Sequence, residues 1–151
     1  MTEAQPTPPV SIRRATPDDY DQIVAAWSAS GMRFCGEGRE SRQAFRRQLE
    51  QFPDLYLVAT DGDRIVGVVL GSHDHRKGWI NRVAVLPEYQ RQGVAVALVS
   101  ACEAGIRTHG IEIMAALIEP ENVTSAALFE KLGYHNDVPA RYYRKLSHPG
   151  A

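Results

Sequence analysis

Val83-Ala84-Val85-Leu86-Pro87-Glu88-Tyr89-Gln90-Arg91-Gln92-Gly93-Val94-Ala95 joins an apolar run to a helical pattern through a short polar turn. The run reads as a strand that stops at Pro87, and the turn leaves through Gly93. The N-terminus of a helix carries unbonded N–H groups and a partial positive charge, so it attracts phosphate. Gly93 and the small Ala95 let a ligand approach the backbone closely, and Arg91 adds a cation. The stretch is therefore an anion cradle placed directly after a strand. It is no Walker loop, because no Gly-Lys-Ser/Thr follows, and it has one glycine where a dinucleotide fingerprint has three.

Outward from this point the chain alternates between strands and helices. Upstream, Val10–Arg14 alternates as a strand. Thr16-Pro17-Asp18-Asp19 opens a helix with a capping hydroxyl, an early proline and acids in the first turn. Ile23, Val24 and Trp27 share one face of it, and Gly31 ends it. A second helix starts at Ser41, carries Phe45, Leu49 and Phe52, and ends at Pro53. Leu55–Thr60 and Ile65–Leu70 flank Asp61-Gly62 as a hairpin, and Trp79–Leu86 is a further strand. Downstream, Val94–Thr108 is a helix stopped by Gly110. Ile111–Ile118 is a strand, Thr124–Leu132 a helix ended by Gly133, and Arg141–Leu146 a last strand, with room for a short one near Val138. The order β-α-α-β-β-β-α-β-α-β predicts an α/β fold with a mixed, mostly antiparallel central sheet flanked by helices. Residues 1–9 read as a disordered lead-in, 10–146 as a single domain and 147–151 as a tail.

Composition narrows the function. The chain has 151 residues, 44% of them hydrophobic and 23% charged, with a formal net charge of −1. No strong field favours nucleic acid, no run is apolar enough for a membrane span, and the Pro-rich start has no signal core. Cys35 and Cys102 are far apart, suggest neither a disulfide framework nor a metal site, and fit a reducing cytoplasm. Cys102 lies in an apolar helical pattern and reads as packing.

The stretch resembles the acetyl-coenzyme A motif of the GNAT acetyltransferase superfamily, Gln/Arg-x-x-Gly-x-Gly/Ala, met here by Gln90, Gly93 and Ala95. Asn122 followed by Ala126-Ala127-Leu128-Phe129-Glu130-Lys131-Leu132-Gly133-Tyr134 resembles a second block of the family. The element order fits from Val10 to Leu146. His73-Asp74-His75-Arg76-Lys77-Gly78-Trp79 is similar to small bacterial relatives of the ribosomal-protein alanine acetyltransferases. The resemblance implies strands splayed at a cofactor cleft and acetyl-CoA as cosubstrate. Pantetheine would pair with Val83, Ala84 and Val85, pyrophosphate would sit on Gln90, Arg91, Gln92, Gly93, Val94, Ala95 and Val96, and Asn122 would fix the cofactor's amide end. Phe129 stands where many members carry an acidic tyrosine near the sulfur. Asn81 stands where members often carry a glutamate base.

The missing acid and base leave alternatives open. Asn81 can orient a water; Asp74, His73, His75, Glu119 and Glu121 are candidate bases; Tyr143 or Tyr142 would point from the last strand into the cleft. The expected function is direct transfer of acetyl from acetyl-CoA to a small-molecule or protein amine, by a monomer or a homodimer. A non-catalytic acyl-CoA-binding module is the other reading, supported by the departures at Asn81 and Phe129.

Overall fold

Four strands pair in chain order, each antiparallel to the last, in the computed structural model, which describes residues 10–151. They are β1 (Val10–Arg14), β2 (Tyr56–Asp61), β3 (Arg64–His73) and β4 (Gly78–Val85). A short fifth strand, β5 (Met114–Ala115), joins β4 in parallel through Gly78 and Trp79. Helices α1 (Tyr20–Ala29) and α2 (Arg42–Gln51) lie between β1 and β2 in the chain. Helix α3 (Val94–Arg107) is the crossover from β4 to β5, and α4 (Val123–Lys131) follows. This is the mixed, mostly antiparallel α/β architecture expected above; the lead-in expected over residues 1–9 lies outside the described residues.

Local chemistry sets the element ends. Arg13 grips Asp19 with two bonds of 2.7 and 3.0 Å, and the Thr16 N–H donates to the same carboxylate at 2.7 Å. That carboxylate closes the turn between β1 and α1, where the first-turn acids meet the positive helix end. The Ser41 hydroxyl accepts from the Ala44 N–H at 3.1 Å and caps α2. The β2–β3 hairpin turns at Gly62, which takes the left-handed φ of +60° that the tight turn requires.

The core lies on both faces of β3. Every residue from Ile65 to Gly71 is buried, as in a strand covered on two sides. Alternation turns Gly67 and Gly71 toward α3, because a Cβ on Gly67 would meet Leu98 and Val94, and one on Gly71 would meet Cys102. Leu70 points the other way and lines a pocket with Trp27 of α1 and Phe45 of α2. Cys102 is buried and its thiol is pushed up to about 12, mainly by that burial, so it is inert packing.

The last third of the chain departs from the expectation. Only two residues of the run 111–118 pair as a strand. Residues 141–146 form no strand, and neither does the neighbourhood of Val138. Tyr142 and Tyr143 are 71% and 84% exposed, so neither points into a cleft. Alternation is a local property, whereas a strand needs a partner edge of comparable length; the two-residue β5 offers too little. No helix among the described residues is long and apolar enough to cross a membrane.

The fit of α3 on the sheet yields a stability test. A Cβ on Gly71 would lie 2.3 Å from the Cys102 sulfur and 3.1 Å from the Leu55 carbonyl oxygen. Gly71→Ala should cost about 1–3 kcal/mol by overpacking, lowering the melting temperature by roughly 2–12 °C. Adding Cys102→Ala should return part of the loss. An unchanged melting temperature for the single variant would refute this packing.

Candidate functional site: a bulged strand between a cofactor edge and a pocket

The site is organised by an irregularity in β4. Leu70 of β3 opposes Asn81, but two residues on Val68 opposes Ala84, so Arg82 and Val83 together face Val69. One extra residue on one strand is a β-bulge, which bends and twists the strand. Arg82 takes φ +54° there, a left-handed conformation that bulky side chains avoid. Its side chain holds it in place. The guanidinium lies 4.4 Å from the centre of the Trp27 ring, donates to the Arg33 carbonyl at 2.9 Å and sits 3.3 Å from a Glu40 carboxylate oxygen. Beyond Trp79, β4 has no partner on its β5 side among the described residues. The outer backbone groups of Val83, Ala84 and Val85 therefore border an open edge.

The loop after β4 is built to face that edge. Residues Pro87–Tyr89 form a 3-10 turn, pinned by an ion pair of 2.8 Å between Glu88 and Arg64 and by the Tyr89 hydroxyl donating to Asp61. Gln90 Nε2 donates to the Val85 carbonyl at 3.0 Å, so this side chain ties the loop to the end of the strand. Gln92 Nε2 donates to the Glu88 carbonyl at 3.0 Å. Arg91 and Gly93 both take left-handed φ, +61° and +84°, which turns the chain into α3. The first bond of that helix runs from the Ala97 N–H to the Gly93 carbonyl at 3.0 Å. The N–H groups of Val94, Ala95 and Val96 therefore sit at the unbonded, positive end of a fourteen-residue helix. Nothing lies within 4 Å of where a Gly93 Cβ would be, so the approach is open.

Helix α4 starts at a side-chain cap and ends against α3. The Asn122 carbonyl oxygen of the side chain accepts from the Ser125 N–H at 3.1 Å, making Asn122 the cap of α4. Phe129 is only 5% exposed and meets Tyr134 edge-on at 4.9 Å. It packs in the core rather than facing an open channel. The Tyr134 hydroxyl donates to Glu103 at 2.8 Å, linking the end of α4 to α3. Burial and this bond raise the Tyr134 pKa strongly, so it stays a neutral phenol.

On the other side of the bulge is a pocket of about 310 Å³. Asn81 and Arg82 form one wall, Trp27, Phe45, Tyr56 and Leu70 supply apolar surface, and Arg39, Glu40 and Gln48 add polar groups. Asn81 Nδ2 donates to the Ser72 hydroxyl at 3.3 Å. The Tyr56 hydroxyl donates to Gln48 at 3.0 Å, and burial pushes its pKa up to about 12. Glu40 accepts from the Cys35 N–H at 2.8 Å with one oxygen while the other faces Arg82.

Comparison with known proteins agrees with this fold. The model of the acetyltransferase (GNAT) family matches residues 21–134. The chain belongs to the GNAT acetyltransferase family. An acetyltransferase of Sodalis glossinidius is 26% identical over 125 residues, 83% of this chain and 87% of that protein. One of Photorhabdus laumondii is 26% identical over 127 residues, 84% and 87% of the two chains. Among solved structures, the aminoglycoside N-acetyltransferase AAC(6')-Iy in complex with CoA superposes with TM-score 0.75 at 20% identity, covering 90% of this chain and 94% of that one. The PaiA N-acetyltransferase of Thermoplasma acidophilum in complex with coenzyme A gives 0.73 at 15% identity, over 82% and 87%. As a GNAT enzyme, the protein is an acetyl-CoA-dependent N-acetyltransferase with acetyl-CoA as its cosubstrate.

Several expected catalytic groups of this GNAT chain lie elsewhere. Asp74 accepts from the N–H groups of Arg76 and Lys77 at 2.9 and 2.7 Å, which makes it the organiser of the exposed β3–β4 turn. Those bonds hold its carboxyl below the usual range. His73 and His75 stack beside the same turn with His109, ring centres 4.7–4.8 Å apart, and neither lines the pocket. Partial burial, with the neighbouring His109 and His75, lowers the His73 pKa. Glu119 and Glu121 are exposed before α4, and Tyr143 is on the surface. Asn81 alone of the expected catalytic residues lines the pocket. Sequence reasoning passed over Trp27, Arg39, Glu40 and Arg82. The one available signal was a charged residue inside the expected strand Trp79–Leu86.

Two substitutions test this layout. Gly93→Asp forces a left-handed backbone on a carboxylate and sets a negative charge at the helix end. Acetyl-CoA affinity should fall by about tenfold or more; a titration matching the parent's would remove the loop from the site. Phe129→Tyr should cost about 1–3 kcal/mol, because the buried hydroxyl lacks a partner. Melting should drop while acetyl-CoA affinity holds; an equally stable variant would show that Phe129 faces open space after all.

Proposed function

We propose that acetyl transfer takes place at the Arg82–Val83 bulge, between the open edge of β4 and the pocket. The observation that carries this reading is that both openings share residues: Asn81 and Arg82 wall the pocket, and the unpaired edge begins beside them. The outer backbone groups of Val83, Ala84 and Val85 would pair with pantetheine as an added strand does. The N–H groups from Arg91 to Val96, with the Arg91 side chain nearby, would hold the pyrophosphate, and Gln90 would keep the loop against β4. Asn122 would serve from the start of α4 as well as capping it. Acetyl-CoA supplies a thioester whose carbonyl carbon accepts the amine and whose thiolate leaves.

The protein's own residues mainly hold the partners together. Asn81 already donates to Ser72 on one side, which fixes its plane and suits it to orient a water or the incoming amine. Glu40 is engaged by Cys35 and Arg82, and Tyr56 is too basic to ionise near neutrality, so neither is poised as a base. The amine's proton would leave through water. Fixing two reactants side by side can supply about 7–11 kcal/mol of the barrier, which suffices for an amine attacking a thioester. We read residues 10–146 as one catalytic unit and 147–151 as a tail, in a reducing cytoplasm that suits the two free thiols Cys35 and Cys102.

Melting and turnover check this reading together. Acetyl-CoA and CoA should raise the melting temperature, by the equivalent of about 2.7 kcal/mol at one hundred times their dissociation constant. NAD and ATP at equal concentration should not. With acetyl-CoA bound, a panel of amines should release free thiol. Equal stabilisation by ATP would indicate a generic phosphate site, and cofactor binding without thiol release from any amine would turn the reading to a non-catalytic module.

A further inference from the structure

The pocket beside the bulge has more hydrogen-bond donors than acceptors. Trp27 Nε1 and Arg82 Nε are both buried without a partner, and Trp27 is only 2% exposed. Buried donors are rarely left unpaired, and these two belong to residues that both line the pocket. The charges are unbalanced in the same sense. Two guanidinium groups, Arg39 and Arg82, share the pocket with one carboxylate, Glu40, which leaves a formal excess of one positive charge. Glu40 divides its oxygens between Arg82 and the Cys35 N–H. Arg39 makes no ion pair among the described residues. Burial lowers the Arg82 pKa below its ordinary value, Glu40 offsets part of that, and Arg39 adds to it. A second anion would relieve the repulsion between the two guanidinium groups.

Size limits what can bring that anion. A volume of about 310 Å³ holds on the order of ten water-sized groups at about 30 Å³ each. Trp27, Phe45 and Tyr56 supply apolar walls.

We propose that the acceptor is a small amino carboxylate, of free amino-acid size, whose carboxylate docks between Arg39 and Arg82 while its nitrogen lies toward Asn81. This rests on the acetyl-transfer reading above and names the substrate class for it. The ammonium loses one proton to water, and the amine nitrogen forms a bond to the acetyl carbon. The carbon–sulfur bond breaks, and the second nitrogen proton balances the protonation of the thiolate. A polycationic acceptor would instead press its ammonium groups against Arg39 and Arg82.

Turnover and binding test the idea separately on the full chain. With saturating acetyl-CoA, thiol release should be followed for a set of amino acids, their carboxamides, their decarboxylated amines and an aminoglycoside. The preferred amino acid should exceed its carboxamide in kcat/KM by on the order of tenfold or more. Arg39→Gln should raise KM for the amino acid several-fold, hold kcat and leave the acetyl-CoA melting shift unchanged. In a Trp79→Phe background the remaining Trp27 reports on the pocket. With CoA present, the amino acid should change its fluorescence saturably and the carboxamide should not. Carboxamides, plain amines or aminoglycosides used as well as amino acids, with thiol release intact, would overturn this proposal and leave the transferase reading standing. Cofactor binding without thiol release from any amine, and without a fluorescence change, would overturn both.

Discussion

A left-handed arginine in the middle of a strand is expensive. Backbone held in a sparsely populated region costs of order 1–3 kcal/mol and persists only where its surroundings over-determine it. At Arg82 they do: the Trp27 ring, the Arg33 carbonyl and the Glu40 carboxylate all grip the one guanidinium. Three separate stretches of chain, α1, the loop after it and the 3-10 turn before α2, thereby lock the bulge from one side of the sheet. The consequences run through the rest of the site. β4 has an extra residue there, its pairing with β5 ends at Trp79, and the strand edge beyond has no partner strand among the described residues.

The opposite face of the sheet makes the complementary contribution. Helix α3 sits close on β3 and β4 because glycines at 67, 71 and 78 present no side chain to it. That close seat fixes where the helix begins, and so where its free N–H groups point. The Gln90 bond to the Val85 carbonyl then ties the loop to the strand end. The free N–H groups at the start of α3 belong to backbone, so side-chain substitution there changes them little. The pocket on the other side is made of side chains from five elements and a turn, and it has no such buffer against substitution.

The chemistry that this division permits is modest and sufficient. The two positions that the family resemblance associates with a base and an acid hold Asn81 and Phe129, and the pocket supplies no idle carboxylate in their place. Thioester aminolysis is a reaction in which positioning can replace much of the proton transfer. On the proposed reading, the enzyme depends on geometry at the bulge more than on any one titrating group.

How much of this was legible in the chain itself follows from the range of the interactions. Strands β1 to β4, all four helices and the loop from Gln90 to Val96 were readable, because apolar period, caps and turn glycines act over a few residues. So were the unbonded N–H groups at the start of α3, since a helix N-terminus needs only its own backbone. The last strand was misread because the Tyr142-Tyr143 alternation is local while a strand's hydrogen bonds come from elsewhere. Asp74 looked like a base and is a turn organiser, and Phe129 looked like a channel wall and is core, since burial is set by neighbours distant in sequence. The bulge at Arg82 and the pocket of Trp27, Arg39 and Glu40 were invisible. No short-range rule joins those positions; they meet only when α1, α2 and β4 close on one another, and that closure is what the tertiary structure alone decides.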